Sequence, residues 1–237
     1  MQYSGAMGVV VFVLILVLVG VGIWYGWYAK QKRREALARM AASLGLQYER
    51  EDPYGLVGLP FELMQRGDGQ GVENVMDGSW QGVALREFDY WYYTESTDSK
   101  GNTSKSYHYF SCALTEVPID AAALTISHEN VFTRIGDHLG FEDIQFESED
   151  FNRAYRVRCK DQKFATDLVD ARMMQWLLPQ KGWGFEFTGP FLLAYSKRRK
   201  PTDLIPLLGT LRAFRDHIPR VVYDLHGTKP QEGTYST

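Results

Sequence analysis

From Gly8 to Tyr28 the chain carries no charge and is apolar on every side rather than along one stripe. As a helix rising about 1.5 Å per residue, that run spans about 30 Å, the thickness of a bilayer's hydrocarbon core. Between Ala29 and Leu46 the pattern changes. Ala36, Leu37, Met40 and Leu44 recur at helical spacing, which predicts a linker helix over 29–45 with Gly45 at its C-cap. Short apolar runs punctuated by glycine then predict strands and hairpins: "FELMQRG", "ENVMDGSWQGVALREFDYWYY", "YHYFSCALTEV" and "ALTISHE", with "GDGQG" (67–71) as a hairpin turn. "NVFTRIGDHLG" reads as a short helix. "IQFESEDFNRAYRVRC" reads as two strands joined by a polar turn at Ser148–Asp150, with Phe151, Tyr155 and Val157 on one face.

Asp161 is placed to cap one helix through "QKFATDLVDARMMQWLL", its buried stripe being Phe164, Leu168, Ala171 and Met174. "GWGFEFTG" and "FLLAYSKRRK" suggest a hairpin around Gly189 and Pro190. A last helix from Thr202 to Pro219 turns Leu204, Leu207, Leu208, Leu211, Phe214 and Ile218 inward, and a polar tail over 226–237 is expected to be disordered. Hairpins with inserted helices and no regular βαβ alternation predict an α+β fold, a largely antiparallel sheet with a few packed helices, over 46–225.

Charge distribution orients the membrane segment. Trp24, Tyr25, Trp27 and Tyr28 crowd the end of the apolar run, and Lys30, Lys32, Arg33 and Arg34 follow directly, whereas the first seven residues hold no Lys or Arg. By the positive-inside rule residues 1–7 lie outside the cell membrane, 8–28 cross it once, and the domain is cytoplasmic. The run is too long for a signal-peptide core and lacks a basic leader. Gly22 and Gly26 form a G-x-x-x-G pair suited to a helix-helix contact. A second basic cluster, Lys197, Arg198, Arg199 and Lys200, ends a strand; facing an anionic inner leaflet, each of its charges would contribute about 1 kcal/mol. The net charge of −3 over 237 residues argues against nucleic acid as a partner.

Phe146 to Leu178, with "HLGFEDI" before it and "GFEFTGPFLLAYS" after it, resembles an uncharacterised bacterial family that joins one membrane helix to a cytosolic domain of unknown function. "LARMAASLGLQY" and "VENVMDGSWQGVALREFDYWYY" are similar to that family's N-terminal half. The resemblance covers most of 36–218, rests on Glu147, Phe151, Asn152, Asp161, Phe164 and Leu177, and implies the architecture but no activity or cofactor.

Reactive groups are sparse. His108, His128, His138, His217 and His226 lack partners at metal-binding spacing. His108 and Cys112 on one strand would stand about 13 Å apart, beyond hydrogen-bond reach. Cys112 and Cys159 read as reduced structural thiols. "GDGQG" lacks the G-K-[ST] ending of a phosphate loop, and the acids of "ESEDF" (Glu147, Glu149, Asp150) lack the spacing of a calcium loop. No catalytic residue, metal site or cofactor is indicated. The expected role is a membrane-anchored cytosolic binding or scaffolding module whose partners are the lipid bilayer, anionic inner-leaflet lipids and a protein. The alternative is an enzyme or small-ligand sensor with a pocket beside the aromatic hairpin 88–110. Both faces of that hairpin are aromatic, Phe88, Tyr90 and Tyr92 against Trp91 and Tyr93, and only the face left uncovered by the core can bind anything.

Overall fold

The computed structural model describes residues 3–128 and 143–228. One helix, α1 (Tyr3–Leu44), runs unbroken through both the apolar segment and the linker. No glycine or proline signal stands at the junction, so helical hydrogen bonding continues where the composition changes. The helix ends at Gly45, whose positive φ of 72° suits a residue without Cβ. Its N-terminal half is long and apolar enough to cross a membrane, and none of its apolar window is buried among the described residues. Its C-terminal half packs Leu37 and Ala41 into the domain core.

Six antiparallel strands form the sheet: β1 (Gln47–Glu49), β2 (Gly69–Trp80), β3 (Val83–Thr97), β4 (Thr103–His128), β5 (Tyr155–Cys159) and β6 (Gly184–Lys197). With α2 (Glu149–Ala154), α3 (Gln162–Leu168), α4 (Ala171–Leu177), α5 (Ile205–His217) and α6 (Arg220–His226), this is the α+β class expected. The long strand β4 organises it. One edge of β4 pairs with β3 early and with β5 late, while β6 follows the other edge along most of its length. The runs read as two strands, 107–117 and 123–129, are therefore, up to His128, one strand whose register slips between Glu116 and Leu124, around Pro118. The hairpin expected at Gly189 and Pro190 is likewise absent. Gly189 (φ 53°) absorbs that slip inside β6, and Pro190 follows it without ending the strand.

Three further expectations fail for local reasons. Ser148 accepts a hydrogen bond from the Phe151 N–H and starts α2, so Phe151 sits on a helix and not on a strand. Asp170 accepts from the Met173 N–H at 2.8 Å and starts a second helix, which divides the single helix expected over 162–178. Met173 and Leu177 are buried in consequence, while Ala171 is exposed. "GDGQG" is no hairpin turn but the entry into β2, where Gly69 and Gly71 lie under the rings of Tyr93 and Trp91. The expected helix in 129–142, with His138, lies outside the described residues, as does 229–237. Residues 226–228 are ordered: His226 packs on Phe164, and Gly227 bridges to Ile119.

Each face of the sheet carries its own core. α1 and α2 to α6 cover one face, with Phe164, Phe185, Phe187 and Phe214 at its centre and the six inward residues of the last helical region all buried as expected. Segment 56–66, with Leu56, Phe61, Leu63 and Met64, covers the other by packing on Phe88, Tyr90, Tyr92 and Phe110. A buried polar latch fixes that segment. Glu62 bonds Arg158 at 2.8 and 2.9 Å and Arg66 at 2.5 Å, Glu186 accepts from the Leu63 N–H at 3.1 Å, and the Tyr90 hydroxyl donates to the Leu63 carbonyl at 2.9 Å.

Candidate functional site

Alternate residues of β3 face α1: Leu85, Glu87, Asp89, Trp91 and Tyr93. They grade from apolar core through buried acid to open aromatic surface. Leu85 shares a core with Leu37 and Ala41 of α1, and Glu87 and Asp89 are almost fully buried. Trp91 and Tyr93 are half-buried, with Tyr109 and Tyr107 opposite them on β4.

The acids are sealed by the two basic clusters, more than 160 residues apart in sequence. Asp89, its side chain 3 % exposed, accepts from Arg33 at 2.7 and 2.5 Å, from Arg198 at 3.2 Å and from the Asn74 amide at 2.8 Å. Arg33 also donates to the Arg199 carbonyl at 2.7 Å. Asn74 can take part because β2 bulges there. Its φ of 59° is tolerated by Asn, and the Tyr48 hydroxyl donates to its side-chain oxygen at 2.7 Å. Glu73 takes Lys30 at 2.6 Å, with Arg34 at 3.8 Å and Arg198 at 3.7 Å. Among the described residues, neither carboxyl oxygen of Glu87 has a hydrogen-bond partner. Burial first, and then the Asp89 charge, push its pKa well above the usual carboxylate range against the pull of Arg33 and Arg198.

Below this seal a groove of about 590 Å³ opens between the helix and the sheet, lined by Gly26, Ala29, Lys30, Arg33, Glu73, Trp91, Tyr107, Tyr109 and Arg198. Its aromatic wall is built from two stacked pairs, tilted by about 50° to each other. Trp91 stacks on Tyr93 with centroids 6.4 Å apart, and Tyr107 on Tyr109 at 6.1 Å. A Cβ on Gly71 would meet the Trp91 ring at 2.7 Å and one on Gly69 the Tyr93 ring at 2.5 Å, so these two glycines let the rings lie across β2. Arg198 lies 5.2 Å from the Tyr109 ring and Lys105 4.1 Å from that of Tyr93.

The eight expected cations thus meet different fates. Arg33, Arg198, Lys30 and Arg34 face carboxylates, Arg199 stacks on Trp183 at 4.2 Å, and Lys32 leans over Tyr28 at 4.8 Å. Lys197 and Lys200 are exposed. Among the described residues nothing packs on Gly22 or Gly26, and Gly26 lines the groove that holds the domain's own aromatic wall. The remaining polar candidates make packing, bracketing and capping contacts. His108 stacks on Tyr92, His128 on the edge of Tyr155 and His217 on Trp176. Asn152 brackets the backbone of Phe146 at 2.9 and 2.7 Å, and Asp161 caps α3 at 3.0 Å. Both cysteines are free and buried; burial raises both thiols, Cys159 to about 11. Among the described residues no group of three His, Cys, Asp or Glu is arranged to hold a metal.

Glu73, Asn74, Glu87 and Asp89 were not singled out from sequence. The available signal was the alternation in "LREFDYWYY", which puts two acids on one strand face between Leu85 and Trp91.

No family model matches the chain, and no curated protein does. Among solved structures it is similar to the crystal structure of the mycobacterial trehalose monomycolate transport factor A, TtfA, with a TM-score of 0.58 and 16 % identity, over 84 % of this chain and 97 % of that one. At that identity the likeness shows a shared fold.

Proposed function

We propose that the chain is a single-pass membrane protein, N-terminus outside, whose cytosolic domain is a binding or scaffolding module with the aromatic groove at the foot of α1 as its working surface. One observation carries this reading: the buried Arg33–Asp89 pair holds α1 on the sheet, so the groove stands at a fixed position where the apolar helix ends. The aromatic belt and basic residues that follow the apolar run support the orientation. Exposed Lys197 and Lys200, beside Lys32, are the cations we assign to anionic headgroups. The structural neighbour is a trehalose monomycolate transport factor, which supports a membrane-associated accessory role.

The groove's volume also falls in the range of small-ligand sites, about 300–1,000 Å³, which favours a ligand sensor as the second reading. A photo-crosslinking residue in place of Trp91, activated in intact membranes, tests both. A discrete adduct that weakens in Arg33→Ala is expected, its mass separating a protein from a small molecule. Crosslinks confined to the chain's own α1 would overturn the assignment.

A further inference from the structure

We infer that the uncovered aromatic face of the β3–β4 hairpin docks on the interfacial layer of the bilayer that α1 crosses, so that the domain lies against its own membrane instead of hanging free below it. The inference rests on the membrane-spanning reading of α1 and adds a second, independent contact.

The first support is position. Gly26 lies inside the apolar run, yet it lines the same groove as Trp91, Tyr107 and Tyr109. Moving from the Arg33–Asp89 anchor to Gly26 covers seven residues, about 10 Å of helix, and moving from Asp89 to Trp91 covers about 7 Å of strand. Both paths lead away from the domain core toward the apolar segment, and they arrive side by side. The wall therefore stands at the depth of Trp24, Tyr25, Trp27 and Tyr28, the ring belt of the span itself.

The second support is chemistry. Trp91, Tyr93, Tyr107 and Tyr109 form one continuous ring surface, with Tyr107 49 % and Tyr109 42 % exposed. Flat rings with polar tips are the side chains that settle between headgroups and acyl chains. Lys105 and Arg198 flank the rings as snorkelling cations would. Two of the acids beside the rings face cations, Glu95 facing Lys105 at 3.1 Å and Glu73 facing Lys30 at 2.6 Å, which reduces the repulsion an anionic surface would meet there. The opposite face of the same strands is closed by segment 56–66, and Gly69 and Gly71 leave room for the Tyr93 and Trp91 rings to lie over β2.

The test uses the full chain in phosphatidylcholine/phosphatidylglycerol nanodiscs, with one spin label introduced at a time through Leu16→Cys, Tyr107→Cys or Arg172→Cys; the two native thiols are buried. Collision with lipid-soluble oxygen and with a water-soluble nickel chelate reports depth. Position 16 should read hydrocarbon, 172 water, and 107 the headgroup layer, with chelate access at 107 several-fold below that at 172. Replacing Trp91 and Tyr109 by Ala, both outside the buried cores, should raise chelate access at 107 severalfold. An aqueous reading at 107 while 16 reads hydrocarbon overturns the docking alone, and an aqueous reading at 16 overturns the span as well. Dipolar broadening between two labels at 107 would assign the face to a second copy and also overturn the inference. Position 107 reports docking whether or not position 91 captures an occupant, so the two proposals fail separately.

Discussion

Replacing Arg33 by Ala should loosen the whole domain from its helix, because that side chain makes three separate contacts. It gives two hydrogen bonds to a carboxylate that is 3 % exposed and one to the Arg199 carbonyl, all at 2.7 Å or less. Removing one partner of a buried ion pair typically costs about 3–5 kcal/mol, since the other charge stays buried. Here Asp89 keeps Arg198 and the Asn74 amide, and Arg33 is itself 13 % exposed, so we expect the lower figure of about 2–3 kcal/mol. At about 1.4 kcal/mol per decade this is a loss of roughly 30- to 150-fold in the folded to unfolded ratio. The assay is urea unfolding of the detergent-solubilised full chain, followed by the fluorescence of the packed Trp176 and Trp183. Arg33→Lys keeps the charge but not the paired geometry and should fall between wild type and Ala. In a double-mutant cycle with Asp89→Asn, the combined loss should be at least 1 kcal/mol less than the sum of the single losses. A cost below about 0.5 kcal/mol for Arg33→Ala, or an additive cycle, would refute the claim that this pair fixes the groove.

Two further outcomes follow from other buried groups. Burial first, and then the Glu62 charge, raise the Glu186 carboxyl to about 8, so between about pH 4.5 and 8 the folded state holds a proton that the unfolded state has lost. Stability should therefore fall as pH rises through that window, by at most about 1.4 kcal/mol per unit; Glu186→Gln, which can still accept from Leu63, should flatten a pH series of urea midpoints, with Glu87 leaving a residual slope of the same sign. Asp170→Ala should cost about 1 kcal/mol in the same unfolding assay by removing the cap of α4, and an unchanged midpoint would show that Met173 and Leu177 hold the break between α3 and α4 unaided.

Much of the fold was legible because its signals are local. The apolar run, the inward leucines of the last helical region and the Asp161 cap all show in windows of a few residues. The errors lie where a short-range signal had two meanings. Ser148 and Asp170 are turn formers and also helix caps, and Gly189–Pro190 reads as a turn unless a long neighbouring strand slips register at the same point. The site was less legible still. In an alternating strand Glu87 and Asp89 read as solvent-facing residues, and nothing nearby in sequence announces Arg33 or Arg198 as the groups that allow them to be buried.

The sequence by itself determined that this protein carries a segment able to cross a bilayer, that basic and aromatic residues crowd one end of it, and that an antiparallel α+β domain follows, because hydropathy and capping act between near neighbours. Only the tertiary structure decided which aromatic face of the hairpin is covered, since segment 56–66 packs on Phe88, Tyr90 and Tyr92 and leaves Trp91, Tyr93, Tyr107 and Tyr109 open. It also decided that two basic clusters, more than 160 residues apart in sequence, close on a single buried carboxylate. Burying a charge is tolerable only when its partners arrive together, and that condition is met in three dimensions, not along the chain.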